Sequence, residues 1–364
     1  MIKVKQAKLT LEDGTVFRGK SFGSETSVGG EVVFYTAMTG YPESLTDPSY
    51  TGQILVSTYP MIGNYGVPSG STKDGIHRYY ESHKLHIKGL IISDYSFEFS
   101  HWNAEKSLSD WLKEYGVPGL FDVDTRALTK ILRSKGSMLG KIEFGQERID
   151  FYDPNKENLV NIASCKNREV YGNGDIKVVL VDCGVKNNII RCLLDRGVSV
   201  IRVPWNYDFT EENCDGIFIT NGPGDPAMCD ITISNIKKVI NSRNPAPIMG
   251  ICLGNQLLGR AAGADTYRLK YGHRSHNQPV MLNGTNRCYI TSQNHGYALA
   301  TETLPGDWEP LFTNANDNTN EGIKHKSKPF FSTQFHPEAS SGPTDTEFLF
   351  DDFIKKIKEY RMIF

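Results

Sequence analysis

Two regions of different type are predicted: an N-terminal mixed α+β domain over residues 1–150 and a doubly wound α/β domain with a mostly parallel sheet over 176–364, joined by a linker at 151–175. Three observations carry this prediction. The chain has 364 residues, and domains of roughly 100–200 residues make two the natural division. From Ile176 onward, continuous apolar runs alternate with helical stretches, the pattern of a parallel sheet covered on both faces. Before Glu147 the apolar runs are short, alternate with polar residues and are punctuated by glycine, with no strand–helix–strand series.

The elements follow in order. Ala7–Leu11 and Thr15–Arg18 read as short alternating strands. Asp153-Pro154-Asn155 and Gly172-Asn173-Gly174 are turn signals in the polar stretch from Glu147 to Asp175, which reads as the linker. Ile176–Asp182 is a buried strand, and Lys186–Arg196 a helix with Ile189, Ile190, Leu193 and Leu194 inward. Val198–Val203 and Gly216–Thr220 are strands, Ile231–Ile240 a helix, and Pro247–Ile251 a strand that feeds the helix Leu253–Ala262. Arg287–Thr291 and Pro329–Gln334 add strands before an amphipathic helix near Thr346–Tyr360.

Composition narrows the function classes. Forty Lys and Arg against 42 Asp and Glu leave a net charge of −2, which gives no electrostatic case for nucleic acid. No apolar run approaches the ~18 residues of a membrane span, and the first residues lack a signal-peptide core, so a cytoplasmic location is expected. The seven cysteines are scattered without a C-x-x-C, arguing against a disulfide framework or thiolate zinc site. His77, His83, His86 and His101 lack ligand-like spacing and read as surface residues, so no metal is expected. No G-x-x-x-x-G-K-[ST] provides for ATP.

The chemistry concentrates at three strand ends. Gly250-Ile251-Cys252-Leu253-Gly254 joins a strand to a helix as a G-x-C-x-G elbow, where a sharp turn exposes the nucleophile and demands small residues at −2 and +2. A thiolate there meets the positive end of the helix dipole, and the N–H of Leu253 points where an oxyanion would form. His336 follows another strand in Gln334-Phe335-His336-Pro337-Glu338, with Glu338 placed to fix its tautomer. Asn221-Gly222-Pro223-Gly224-Asp225-Pro226-Ala227 formally matches a dinucleotide turn. However, Pro223 and Pro226 remove amide donors and no acidic residue follows about 20 positions on, so it reads as a rigid turn able to lend a second N–H to the oxyanion.

Gly250–Gln256, Asn221–Pro226 and Phe335–Glu338 together resemble the signature segments of triad, or class I, glutamine amidotransferases. In the N-terminal half, Thr36–Tyr50, Gly52–Ile54, Thr58–Gly66 and Val123–Thr129 are similar to the small-subunit domain of carbamoyl-phosphate synthetases. The resemblance runs essentially end to end. It implies Cys252 as nucleophile, His336 as base, Glu338 as orienter, and the N–H groups of Leu253 and Gly222 as oxyanion hole. It further implies that glutamine is held by Ser49, Gly222, Gly224, Leu253, Gln256, Asn294, Gly296 and Tyr297. Ser49 alone comes from the front domain, which would set the site against the interdomain cleft.

The same resemblance implies ammonia delivery to a synthetase large subunit or fused synthetase domains, where ATP, bicarbonate and magnesium act; no cofactor is expected in this chain. Asn255 and Tyr297 depart from the histidine and phenylalanine frequent in bacterial members. The segments Tyr271–Pro279 and Thr313–Ile323 look more like the eukaryotic multidomain enzymes, among which relatives with serine at the elbow no longer use glutamine. The product would serve pyrimidine or arginine synthesis. Two other readings stay open: a stand-alone γ-glutamyl hydrolase, and a non-catalytic assembly or regulatory subunit.

Overall fold

In the computed structural model, which describes residues 5–363, the chain forms two compact units, Met1–Glu157 and Asn158–Phe364. The front unit is built on a closed seven-stranded barrel. Around it run Gln6–Leu11, Met138–Phe144, Val28–Tyr35, Gln53–Ser57, Gly89–Ile91, Gly119–Phe121 and Val16–Ser21. The first hairpin pairs Leu9 with Phe17, and its alternation places Ala7, Leu9 and Leu11 inside. Four neighbouring strands, from Val28–Tyr35 to Gly119–Phe121, are parallel. Parallel neighbours need long crossovers, and here short helices and irregular loops supply them, so the front half hides its crossovers from a periodicity reading. His86 is buried, its Nδ1 2.9 Å from the Thr51 hydroxyl, and is not the surface residue its spacing suggested.

The rear unit carries one ten-stranded sheet. Its order is Glu169–Tyr171, Val198–Pro204, Ile176–Asp182, Gly216–Ile219, Ile248–Ile251, Phe330–Thr333, Asn320–His325, Trp308–Asn314, Thr266–Leu282 and Cys288–Leu299. The second to sixth strands are parallel, with apolar runs buried on both faces, as the alternating pattern predicts. The remaining four on one side, and the single strand on the other, are antiparallel, so "mostly parallel" holds only for the middle of the sheet. Long polar strands such as Thr266–Leu282, with two Tyr, two His and two Arg, are half-exposed and do not show as apolar runs.

The expected linker at 151–175 is also revised. The units divide between Glu157 and Asn158. Leu159 and Val160 are buried in a short helix of the rear unit, and Glu169–Tyr171 pairs with Val198–Pro204 as an edge strand. Turn residues inside a folded segment look like a linker when its few apolar side chains are spaced too widely to show a period.

One buried ion pair ties the parallel strands together. Asp182 ends its strand fully buried, accepts from the N–H groups of Cys165, Gly184 and Val185 at 2.8 Å, and meets Arg202 Nη2 at 2.7 Å. Arg202→Met should cost about 3–5 kcal/mol in a denaturant titration, because it strands a buried carboxylate without its cation. An unchanged midpoint would show that the backbone donors suffice.

Candidate active site

Three strand ends meet where the motifs lie. Ile248–Ile251 pairs in parallel with Gly216–Ile219 on one side and Phe330–Thr333 on the other, and the register sets Ile251 against Thr333. Cys252 therefore leaves the sheet beside the His336 segment, and its N–H donates to the Thr333 carbonyl at 2.8 Å. The chain turns at once into the helix Leu253–Ala262, which puts Cys252 at φ 56°, ψ −103°. A positive φ is strained for a residue with a Cβ and persists only where the surroundings dictate it.

The flanking glycines show what dictates it here. A Cβ on Gly250 would lie 2.6 Å from the Gly254 carbonyl oxygen, and one on Gly254 only 2.1 Å from that of Ile219. Helix and strand backbones touch, and only hydrogen fits between them. Gly254→Ala should cost roughly 3 kcal/mol or more by forcing that backbone apart, read as a lowered melting temperature; a wild-type value would mean that the elbow can open freely.

Beyond its strand, His336 is anchored by its N–H donating to the Ser292 carbonyl at 2.9 Å. Its Nδ1 lies 2.7 Å from Glu338 Oε1, and both residues are buried. Burial works against a charged imidazole, but the Glu338 carboxylate, joined by Cys252, outweighs it and raises the His336 pKa to about 10. The other ring nitrogen, Nε2, is buried with no hydrogen-bond partner among the described residues, which leaves it free for a reacting atom. The Cys252 thiol points to the Asn294 carbonyl at 3.6 Å.

Glu338 has a second partner that sequence reading missed. Lys186 Nζ is 3.1 Å from Glu338 Oε1 and also donates to the Ala339 carbonyl, with its side chain only 5% exposed. Burial would raise the Glu338 pKa; Lys186 first and His336 second bring it down to about 2. The Lys186 N–H is held by the Asn221 side chain at 3.1 Å, so the turn Asn221–Ala227 also fixes this lysine. Its signal was a lysine just past the end of a parallel strand, where open α/β sheets place their sites. His276 is a further histidine near the site; burial first, then the charges of Lys186 and His336, lower its pKa to about 4.

The other expected residues are placed as follows. Gly222 packs its main chain against Leu253 and Cys183, where a Cβ would come within 2.1 Å of the Cys183 carbonyl oxygen. Gly224 adopts φ 87° beside Leu159. Gln256 is buried, its Nε2 donating to the Tyr297 carbonyl at 2.9 Å and to Gln334 Oε1 at 3.1 Å. Asn294, Gly296 and Tyr297 lie in sequence on the strand Cys288–Leu299. Ser49 belongs to the front unit, buried in the turn Pro48–Tyr50 with its N–H held by Asp47 at 2.9 Å.

A buried Cys–His–Glu set on an elbow of this kind defines a class, and residues 179–356 match the family "Glutamine amidotransferase class-I". Residues 9–142 match "Carbamoyl-phosphate synthase small chain, CPSase domain". Residues 9–142 thus carry a carbamoyl-phosphate synthase small-chain domain and residues 179–356 a class-I glutamine amidotransferase domain.

The chain is 54% identical to "Carbamoyl-phosphate synthase [ammonia], mitochondrial" of Mus musculus, covering 98% of this chain and 24% of that protein. It is 51% identical to "Multifunctional protein CAD" of Squalus acanthias, over 98% of this chain and 16% of that one. With "Multifunctional protein URA2" of Saccharomyces cerevisiae it shares 49% identity, over 97% of this chain and 18% of that one. The chain thus spans about a quarter or less of the length of these relatives.

Proposed function

We propose that this chain is the glutaminase component of carbamoyl-phosphate synthase. The observation that carries the reading is Cys252 on its strained turn, buried beside a His336 that Glu338 orients. Cys252 passes its thiol proton to His336 as its sulfur attacks the side-chain amide carbon of L-glutamine, and the negative oxygen is held by the N–H groups of Leu253 and Gly222. His336 gives its proton to the departing nitrogen, the C–N bond breaks, and ammonia leaves. A γ-glutamyl thioester remains. His336 then takes a proton from water, whose oxygen attacks the thioester carbon, releasing glutamate and restoring the thiol. Gly224, Gln256, Asn294, Gly296 and Tyr297 hold the glutamine within the rear unit.

The ammonia passes to an ATP-using synthetase, either a separate large subunit or domains fused as in the far longer relatives; ATP, bicarbonate and magnesium act there. Pyrimidine synthesis is the destination we favour, since multifunctional relatives match nearly the whole chain at 51% and 49% identity. A cytoplasmic location is part of this reading, although the mouse relative's name places that protein in mitochondria.

A second reading comes from the same relative, whose name specifies ammonia. In that reading the rear unit is a structural remnant, and free ammonia is the nitrogen donor. Retention of Cys252 together with its base, orienter and lysine favours glutamine. The test is to treat the protein with a glutamine-like electrophile and map the adduct by mass spectrometry. Stoichiometric modification of Cys252, prevented by excess glutamine, is expected; no adduct at Cys252 would leave the ammonia reading.

A further inference from the structure

A second buried polar cluster adjoins the site, and none of the steps above uses it. The strands Thr266–Leu282 and Cys288–Leu299 pair so that His273 stands opposite His295, with their rings 4.8 Å apart and edge to face. His273 Nε2 lies 2.8 Å from Asp317 Oδ2, while its Nδ1 lies 3.0 Å from Gln293 Oε1 and 3.5 Å from Glu321 Oε1. Gln293 Oε1 also meets His295 Nε2 at 3.2 Å, and His295 Nδ1 faces the Tyr297 carbonyl at 2.8 Å.

That carbonyl is the one that accepts from Gln256, and the Asn294 carbonyl, between Gln293 and His295 in sequence, is the one that meets Cys252. A continuous line of contacts therefore runs from Asp317, whose side chain is 42% exposed, to the main chain beside the nucleophile.

A metal ion is the obvious tenant for two histidines and a glutamate, but the geometry suits a proton better. One atom each of His273, His295 and Glu321 lie within 4.8 Å of one another. Ligands about 2.0–2.1 Å from one zinc sit roughly 3.3 Å apart, and Gln293 Oε1 already bridges the two rings. Burial opposes a charge on His273, but hydrogen bonds to Asp317 and then Glu321 raise its pKa to about 9. Burial first, then the nearby His273 charge, keeps His295 neutral, well below its ordinary value. Asp317, Glu321 and His295 face His273 directly; Arg274 acts on His295, and Tyr267 lies in the field of both carboxylates.

We propose that His273 is a positioning residue: clamped between Asp317 and Glu321, it fixes Gln293, and through Gln293 the His295 ring, so that the main chain of residues 294–297 holds its place against Cys252 and glutamine. The proposal rests on the glutaminase reading. Displacement of a binding surface by even an ångström can cost about a hundredfold, so a residue that never touches substrate can still set its affinity.

The test compares wild type, His273→Ala and Asp317→Asn as the full purified protein. It follows glutamate release from glutamine, the rate of Cys252 alkylation by iodoacetamide, and melting temperature. His273→Ala is expected to raise KM for glutamine by ~10-fold or more, with kcat changed less than about threefold and iodoacetamide alkylation near the wild-type rate.

Asp317→Asn, on the exposed end, guards against misfolding. It keeps a hydrogen-bonding atom but removes the charge that favours the His273 proton. The wild-type KM should stay level with rising pH until about 9, whereas the Asp317→Asn KM should start to climb at a lower pH. An unmoved KM in both variants, or KM, kcat and alkylation failing together with the melting temperature, would overturn the proposal while leaving the glutaminase reading intact. Zinc co-purifying with wild type and lost from His273→Ala would overturn it in favour of a metal centre. A wild type that releases no glutamate and gains no glutamine-like adduct would defeat both this proposal and the reading beneath it.

Discussion

Cys252→Ala is expected to lower glutamate release from glutamine by a factor on the order of 10⁴ or more, because no other group forms the thioester. The fold should scarcely notice. The thiol is buried, but its approach to the Asn294 carbonyl is a long 3.6 Å, and the elbow is imposed by the Gly250 and Gly254 contacts. The lost sulfur should cost about 1 kcal/mol. Assayed with the ATP-using partner, carbamoyl phosphate formation from added ammonia should persist while formation from glutamine disappears. Glutamate release at the wild-type rate would remove Cys252 from the chemistry, and equal loss with both nitrogen donors would point to a structural role. Cys252→Ser should resemble Cys252→Ala, since a serine hydroxyl remains protonated where a thiol can ionise.

What the sequence disclosed depended on how local each signal was. The helix Leu253–Ala262 and the strand Ile176–Asp182 lie where periodicity and punctuation put them, because continuous apolar runs and a glycine stop belong to neighbouring residues. The barrel did not show. Closure depends on Gln6–Leu11 pairing with Met138–Phe144, more than a hundred positions away, and no window along the chain contains both. The antiparallel extension showed only as the short strand Arg287–Thr291: Thr266–Leu282 and Cys288–Leu299 are long, and they carry histidine, asparagine and tyrosine where apolar residues were sought.

The site divides in the same way. Cys252, His336 and Glu338 were legible because each sits in a short motif at a strand end. Lys186 and His273 were not, although Lys186 pairs with Glu338 and His273 belongs to the cluster behind the Asn294 and Tyr297 main chain. Each is buried against the usual preference of its residue type, and each is paired with partners distant in sequence: Glu338 for Lys186, and Asp317 with Glu321 for His273. A buried lysine is unremarkable in a sequence until the carboxylate opposite it is known.

Lys186→Met should therefore do more than loosen the fold. Removing one partner of a buried pair costs about 3–5 kcal/mol, and here the abandoned partner is the carboxylate that orients His336. The sign of the pH effect follows from the two shifts. Glu338 is depressed from 4.5 to about 2, so its share of stability is full above 4.5 and fades as pH falls toward 2. His336 is raised from 6.5 to about 10, so its share is full below 6.5 and fades as pH rises through 10.

Without Lys186, Glu338 loses the strongest of the charges that stabilise it and its pKa moves back up, so the acid limb of the kcat/KM profile for glutamine should shift to higher pH. Above that limb His336 still supports Glu338, and the loss of kcat/KM should settle at roughly 10–100-fold, because the imidazole is less firmly held. An acid limb that stays at its wild-type position would mean that His336 alone keeps Glu338 ionised, reducing Lys186 to an anchor for the Ala339 carbonyl; the stability loss would then appear without any change in the pH profile.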